Sequence, residues 1–358
     1  MRLYLASFLA AALVWGAGCG DDGDGGDIDA PAADAQPDAP TDAGMDGPFV
    51  QPTMLSETGL YSNIGTKTIA SGVVEFAPRW QLWSDAAVKR RWIYLPPGSK
   101  INSTDMDYWS FPVGTKVWKE FVRGGARIET RLLQKIGDAD DVASWYMVAF
   151  QWDAGETDAT AVPGGVVDDQ GVNDIPDRSK CRQCHQPSRN KAIILGFQAL
   201  QLDYDAPANG LDLDYLVQND WLAVEPTASG QAAYFPLPAE TGTPVIEPAL
   251  GYMHGNCSGC HNGDSDVLNT VPLELRLSVT ELGTWAATDT YRTAVNVAAS
   301  LGSQGTHVVK GMDVAQSAIH NRMTAVGGAQ MPPIAREQVD TTALAAIDAW
   351  INSLPAPN

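Results

Sequence analysis

Two short stretches in the second half of the chain, "KCRQCH" and "GNCSGCH", repeat one pattern of reactive side chains. Both read Cys-x-x-Cys-His, and their members are Cys181, Cys184 and His185 in the first and Cys257, Cys260 and His261 in the second. Cys-x-x-Cys pairs occur in structural zinc sites and, in an oxidising compartment, as disulfides, but neither use requires a His directly after each pair. Cys-x-x-Cys-His is the attachment signature of c-type haem, in which both thiols bond to the haem and the His binds its iron. The pattern therefore predicts two covalently bound haem c groups.

The residues around the second motif indicate the elements that position it. The stretch "PALGYMHGN" predicts a short helix that runs into Cys257, with small and aromatic residues that allow close helix packing. A closing helix is indicated near the C-terminus, where Asp340, with Thr341 and Thr342, offers an N-cap. Its apolar residues recur at near-helical spacing and are Val339, Leu344, Ile347, Trp350 and Ile351.

This order of elements, with "MPP" just before the closing helix, resembles the class I cytochrome c domain. The resemblance implies that His261 is the proximal iron ligand and Met331 the distal one. A His/Met pair raises the reduction potential and leaves no open coordination position, which suits electron transfer.

The first motif has no distal ligand close behind it in the sequence, because residues 186–252 contain neither His nor Met. Three alternatives remain open. Met253 or His254, just ahead of the second motif, could supply the ligand. Met147 of the upstream region could supply it instead. In the third alternative the first haem is open on one face, as in an enzyme that acts on a small molecule.

Residues 55–165 have a different character. Runs rich in Trp, Val, Ile, Tyr and Phe alternate with Pro-Pro-Gly and Gly-Gly, which predicts antiparallel strands and turns. Seven of the 11 Trp fall here and are expected in the core of a β-sandwich: Trp80, Trp83, Trp92, Trp109, Trp118, Trp145 and Trp152. The Lys and Arg of "KRRW", "KVWKE" and "ETRLLQK" are expected at alternate, solvent-facing positions. The region contains no His, so it cannot form a Ser-His-Asp set.

Two further resemblances cover larger parts of the chain. Over residues 76–358, "LWSD", "KRRWIYLPPG", "WSFPVGTKVWKEF" and "IETRLL", followed by the second haem motif and "MPP", resemble an uncharacterised family of secreted bacterial proteins. That family implies an N-terminal β-domain and a C-terminal haem c domain, and no reaction. The stretch "FPVGTKVWKEF" and the first motif also resemble hydroxylamine-oxidising mono-haem cytochromes. This second resemblance implies that the β-domain covers the first haem, and Lys135 falls near the position where those enzymes cross-link their haem.

The N-terminal residues predict export. Residues 1–19 combine one Arg with a short apolar run that ends in small residues, which is typical of a signal peptide of the lipoprotein type with Cys19 lipidated. Ordinary secretion, in which Cys19 is removed, is the alternative.

Residues 20–50 hold nine Asp and no Lys or Arg, which predicts an acidic, disordered linker. With one Arg and nine Asp in residues 1–50, residues 51–358 keep −12 of the formal charge of −20. This balance argues against nucleic acid and favours a redox partner with a basic docking surface.

The predicted architecture is of the α+β multidomain class. An antiparallel β-sandwich over 51–170 is followed by a mainly α, cytochrome c-like haem region, with a first haem segment over 171–240 and a domain with the second haem over 241–358. The predicted function is electron transfer by a di-haem c-type cytochrome, periplasmic or at the cell surface and tethered to a membrane through lipid on Cys19. The alternative is a haem redox enzyme, an oxidoreductase or peroxidase-like, in which the first haem is open.

Overall fold

The structure is a computed structural model that describes residues 49–167, 174–185, 193–207, 210–228, 233–300, 304–333 and 336–357. All of them belong to one compact unit. The predicted signal peptide, Cys19 and nearly all of the predicted linker lie outside the described residues, as does the predicted domain boundary at residue 170. Within the described part of the chain, no helix has the length and apolarity needed to span a membrane.

The first half of the chain forms a six-stranded antiparallel sheet in which each strand pairs with the next along the chain. Its strands are β3 (Val73–Phe76), β4 (Val88–Tyr94), β5 (Lys116–Arg123), β6 (Ala126–Lys135), β7 (Trp145–Trp152) and β8 (Ala159–Ala161), preceded by a separate pair, β1 (Tyr61–Asn63) and β2 (Thr68–Ile69). The turn between β5 and β6 consists of Gly124 and Gly125, both with positive φ. Two consecutive residues with positive φ suit the tight hairpin turn that matches strand twist, and glycine adopts this conformation without strain.

The two faces of the sheet bury different clusters, because side chains alternate along each strand. One face carries a row of paired residues across four strands, Trp92, Trp118, Leu132 and Val148. This row packs with Leu55, Leu60 and Tyr61 from the chain that precedes the sheet. The opposite face carries the neighbouring row Ile93, Val117, Leu133 and Met147. It is covered by apolar residues of 193–222, so one hydrophobic core joins the sheet to chain beyond residue 170.

The second half is mainly helical and irregular. Its helices are α1 (Arg178–His185), α2 (Ala199–Leu202), α3 (Leu213–Gln218), α4 (Ile246–Asn256), α5 (Asp289–Ala294), α6 (Ala318–Thr324) and α7 (Thr341–Ser353). The two helices predicted around the second motif are confirmed. Helix α4 ends directly before Cys257, and α7 is capped by Asp340, whose carboxylate accepts the backbone N–H of Ala343 at 3.0 Å. The two helices contact each other, and their apolar residues share one core.

The order of sheet and helices gives the α+β class predicted from the sequence. Five of the seven upstream Trp are buried in the cores of the sheet, whereas Trp80 and Trp83 are only half-buried. The expectation that the Lys and Arg of the strands face solvent is wrong for Arg91 and Lys135, which are 5% and 2% exposed. Arg91 shares a sheet face with Ile93, and chain from the second half packs against that face. The buried ammonium of Lys135 is paired with Asp140 at 2.8 Å.

Candidate cofactor site

The first motif lies on α1, which contacts β7. Arg178, the first residue of α1, donates from Nε to the carbonyl of Met147 at 2.9 Å. Cys181 packs against the cluster on the sheet face that contains Ile93 and Met147. These contacts fix the helix, so the first Cys-x-x-Cys-His turn is held against the sheet.

His185 is held in one orientation by a backbone contact. Its Nδ1 lies 2.6 Å from the carbonyl oxygen of Ile193, so Nδ1 carries the proton and donates it. Burial lowers the pKa of His185 to about 4, which keeps the ring neutral near pH 7. A neutral ring protonated on Nδ1 has a free lone pair on Nε2. Metal-binding His residues are commonly oriented in this way, by a carbonyl or carboxylate that accepts the other ring proton.

The second motif continues the chain directly from α4. Cys257 donates its backbone N–H to Met253, and His261 donates its own to Cys257 at 2.9 Å, so the motif follows a helical turn. Burial lowers the pKa of His261, and its buried Nδ1 has no hydrogen-bond partner among the residues that the structure describes. The carbonyl of Leu273 is close enough to oppose this lowering of the pKa, but it does not reach hydrogen-bond geometry. His261 is therefore less firmly oriented than His185.

The two motifs open onto one shared cavity of about 150 Å³. Cys184 of the first motif and Cys260 of the second both line it. A Cβ added at Gly259 would lie 3.9 Å from the backbone carbonyl oxygen of Cys184, so the two motifs are in direct proximity. The other lining residues are Leu82, Trp83, Gln183, Leu195, Gly196, Gln198, Gln201, His254, Gly255, Asn256, Ser258, Gly259, Arg276, Pro332, Pro333 and Arg336. Sequence spacing gave no sign of this juxtaposition.

Met331 lies at the edge of this arrangement. Its backbone N–H donates to the carbonyl of Arg322 at 3.0 Å, and its side chain is half-buried. The two residues that follow, Pro332 and Pro333, line the shared cavity. The segment with Met331 is thus brought to the cavity that Cys260 lines, whereas neither Met331 nor His261 lines that cavity.

The candidate distal ligands of the first haem lie in three different environments. Met253 is fully buried in the core between α4 and α7, and Met147 shares its cluster on the sheet face with Cys181. His254 lines the shared cavity with both ring nitrogens engaged: Nδ1 accepts the N–H of Leu277 at 2.9 Å, and Nε2 lies 3.1 Å from the Gln198 side-chain amide. Burial lowers the pKa of His254 to about 3. A neutral ring that accepts at Nδ1 carries its proton on Nε2, and the Gln198 amide accepts this proton when its oxygen faces the ring, so no lone pair is left for iron.

The segment between β3 and β4, with Trp80 and Trp83, packs against the second motif and is called the clamp below. The sequence did not indicate this contact. The Trp80 ring packs edge-on against His254 with ring centres 5.4 Å apart. Trp83 donates its backbone N–H to Asn256 at 2.6 Å and its indole N–H to the carbonyl of Gln338 at 3.1 Å. Gly251 is the residue that could have signalled this clamp, because its lack of a side chain is what admits the Trp80 ring.

A pair of carboxyl groups joins the same clamp to the chain after Pro333. Asp85 is buried, and its Oδ1 accepts the backbone N–H groups of Glu337 and Gln338 at 3.0 and 2.7 Å. Burial, and then the hydrogen bond to Asp85 and its negative charge, raise the pKa of Glu337 to about 7. Two neighbouring carboxylates cannot both ionise without repulsion.

This carboxyl pair predicts a pH-dependent stability. Between pH 4.5 and about 7 the folded protein keeps a proton on Glu337 that the unfolded chain has released, so stability falls as pH rises through this window. Because Glu337 is partly exposed, we expect a loss of only about 1 kcal/mol in the free energy of unfolding. Denaturant unfolding at pH 5 and pH 8 measures it. Glu337→Gln should remove this dependence and Glu225→Gln, an exposed control, should keep it; equal behaviour of the two variants contradicts the pairing.

The zinc and disulfide alternatives can be compared with the same geometry. Cys181, Cys184, Cys257 and Cys260 are all unpaired thiols. Over the described ranges, no three side chains of His, Cys, Asp or Glu come close enough to share a metal ion. The four thiols are therefore not arranged here as one tetrahedral site, and a chemical assay of the cofactor discriminates among the three alternatives.

Comparison with known proteins adds no family to this description. No protein-family model, no curated protein and no solved structure matches the chain. The function is therefore argued from the chemistry of the two motifs and of the cavity that they share.

Proposed function

We propose that the protein is a di-haem c-type cytochrome that transfers electrons outside the cytoplasm. One haem is bonded to Cys181 and Cys184 with His185 as the proximal ligand. The other is bonded to Cys257 and Cys260, with His261 as the proximal and Met331 as the distal ligand. In this proposal residues 241–358 form a cytochrome c-like domain and the sheet region is a β-domain that covers the first haem.

The observation that carries the proposal is the shared cavity. Two Cys-x-x-Cys-His motifs, distant in sequence, contribute Cys184 and Cys260 to the lining of one cavity. The protonation of His185 on Nδ1 fits the same use, because it leaves Nε2 free for iron. Storage of an electron on a single haem would require only one attachment motif. Proximity of two redox groups supports electron exchange between them.

Bound haem would supply reversible one-electron chemistry. The chain's own residues hold and insulate it. The four thiols keep the cofactor attached, and Ile193 keeps the His185 ring in register. Leu82, Trp83 and Leu195 contribute apolar cavity wall, which limits access of water and thereby tunes the reduction potential.

The proposal also includes the location of the protein and its redox partner. Export by the N-terminal signal, a lipid on Cys19 and the acidic linker would hold the folded part near a membrane, in the periplasm or at the cell surface. The formal charge of −12 on residues 51–358 fits a redox partner that presents a basic docking surface. Electrostatic docking of this kind predicts electron exchange that slows as ionic strength rises.

The proposal is tested by counting haems after expression with the haem c maturation machinery. We expect two haems per chain by the pyridine haemochrome assay. Cys181→Ala with Cys184→Ala should leave one, Cys257→Ala with Cys260→Ala should leave one, and the four changes together should leave none, because each pair of thiols holds its own cofactor. Metal analysis runs in parallel. A wild-type protein with zinc and no haem, or with two disulfides and no haem, would overturn the proposal.

The alternative, a redox enzyme with an open first haem, is favoured by one observation. His254, which lies in the shared cavity, has both ring nitrogens engaged and so offers no lone pair as a distal ligand. Spectra of the reduced protein with carbon monoxide, and of the oxidised protein with cyanide, distinguish the two functions. If neither ligand changes the spectrum of either haem, the result supports the electron carrier. If one haem binds carbon monoxide or cyanide, the result supports the enzyme.

A further inference from the structure

Three cations lie side by side on the face of the sheet that is turned towards the first motif. The strand register pairs Arg91 with Lys119 and Lys119 with Arg131. The three residues are two positions from Ile93, Val117 and Leu133 in their strands, so they form the next row on the same face. Like charges placed directly opposite each other on neighbouring strands are destabilising. A row of three needs compensation from elsewhere.

Among the described residues that compensation is only partial. Arg131 is paired with Glu129 at 2.6 Å, but no described carboxylate lies within ion-pairing distance of Arg91 or Lys119. Arg91 is 5% exposed, and its one side-chain hydrogen bond is a long contact of 3.4 Å to Gln81. The Lys119 ammonium rests over the Phe121 ring at 4.7 Å. Burial, and then the charges of Arg91, Arg131 and Lys89, hold the pKa of Lys119 well below its usual 10.5, although the charge of Glu129 opposes this lowering. Unpaired buried charge is costly.

On the opposite face of the sheet, a buried charge is compensated by partners within the protein. Buried Glu120 accepts from Arg127 at 2.9 Å and from the Tyr61 hydroxyl at 3.0 Å. That charge is matched within the fold. The row of cations on the other face is matched only in part, by Glu129 at Arg131, and the difference indicates that the remaining counter-charge comes from a bound group.

The row is close to the first attachment motif. Cys181 packs in the same cluster as Ile93, Val117 and Leu133, the apolar row that neighbours the cations on this face. Helix α1, which carries Cys181, contacts β7 of the same sheet. A group bound at the row would therefore sit next to whatever is attached at Cys181 and Cys184.

We propose that Arg91, Lys119 and Arg131 form a binding site for a carboxylate or small oxyanion beside the haem on Cys181 and Cys184. Arg91 and Arg131 would donate paired N–H groups and Lys119 a third charge, as anion sites commonly do. The anion has two sources: a propionate of that same haem, or a free small anion. The position beside the haem rests on the proposed function, whereas the binding of an anion does not.

The test compares Arg91→Gln and Lys119→Gln with a matched control, Arg90→Gln. Arg90 is next to Arg91 in the chain and carries the same charge, but its side chain is 44% exposed and already paired with Glu75 at 2.6 Å. Haem content is measured first, so a protein without haem refutes the proposed function separately. Midpoint potentials of the first haem and calorimetric titrations of the oxidised protein with acetate and with nitrite follow.

The outcomes distinguish the two sources. If the row holds a propionate, Arg91→Gln and Lys119→Gln lower the midpoint potential of the first haem while Arg90→Gln does not, and neither anion binds. If the row holds a free anion, acetate or nitrite binds saturably to the wild type and to Arg90→Gln, at least tenfold more weakly to the other two variants. If protein without haem binds acetate or nitrite, the result supports the anion site but not the proposed function. Unchanged potentials together with no binding, or with binding equal in all variants, overturn the inference. Lys119→Gln removes an uncompensated charge, so it remains informative if Arg91→Gln does not fold.

Discussion

Gly251→Ala is expected to lower the free energy of unfolding by about 3 kcal/mol or more, the upper range for an overpacked core. A Cβ at this position would lie 2.1 Å from Nε1 of Trp80 and 2.3 Å from its Cε2, far inside van der Waals contact. In an open helix the same change would be favourable by about 1 kcal/mol, because Ala has the higher helix propensity. A net loss in denaturant unfolding therefore means that the overlap with Trp80 outweighs helix propensity.

A double-mutant cycle with Trp80→Ala shows whether the ring itself is the cause. Once the indole is gone, the added methyl group has space, so Gly251→Ala should become neutral or slightly stabilising in that background. We expect a coupling energy of about 2 kcal/mol or more between the two positions. Gly283→Ala is the control, since no atom lies within 4 Å of a Cβ there and its φ is not positive. If Gly251→Ala and Gly283→Ala unfold alike, the Trp80 ring does not pack on α4 as described.

The elements that the sequence predicted correctly depend on local signals. Helix α7 begins at Thr341 because Asp340 caps it and because Ile347, Trp350 and Ile351 recur on one face; all of these lie within a few turns of each other. Helix α4 and the hairpin at Gly124 and Gly125 are equally local. Such features can be predicted because neighbours in the chain decide them.

The features that the sequence could not predict depend on contacts between distant segments. Alternation along β4 puts Arg91 on the same face as Ile93, but whether that face meets solvent depends on residues 193–222, which cover part of it. The proximity of Cys184 to Gly259 likewise depends on how the sheet, α1 and α4 pack together. The two Cys-x-x-Cys-His motifs were evident from their residue types. Their shared cavity follows from tertiary packing alone.

Met331→His is expected to lower the midpoint potential of the haem on Cys257 and Cys260 by at least about 0.1 V, because thioether ligation raises the potential relative to imidazole and axial ligands tune it over roughly 0.8 V. The measurement is a spectroelectrochemical titration in the Cys181→Ala, Cys184→Ala background, so that the change belongs to one haem. Oxidised protein should also lose the red charge-transfer absorption of a Met-ligated haem.

The control for this change is Met323→Leu, because Met323 is a buried methionine of α6 in the core that α4 and α7 share. Leu nearly conserves its volume, so the potential should stay as in the parent protein and stability should change by less than about 1.5 kcal/mol. Both substitutions therefore remove a thioether, but in the proposed function only Met331 binds iron. A potential and a charge-transfer absorption that survive Met331→His would show that the Met-Pro-Pro segment closes the cavity at Pro332 and Pro333 without binding iron. The distal ligand of the second haem would then have to be sought among the other side chains that line the shared cavity. His254 is one of them, and it becomes available only if the hydrogen bond from the Leu277 N–H to its Nδ1 is broken.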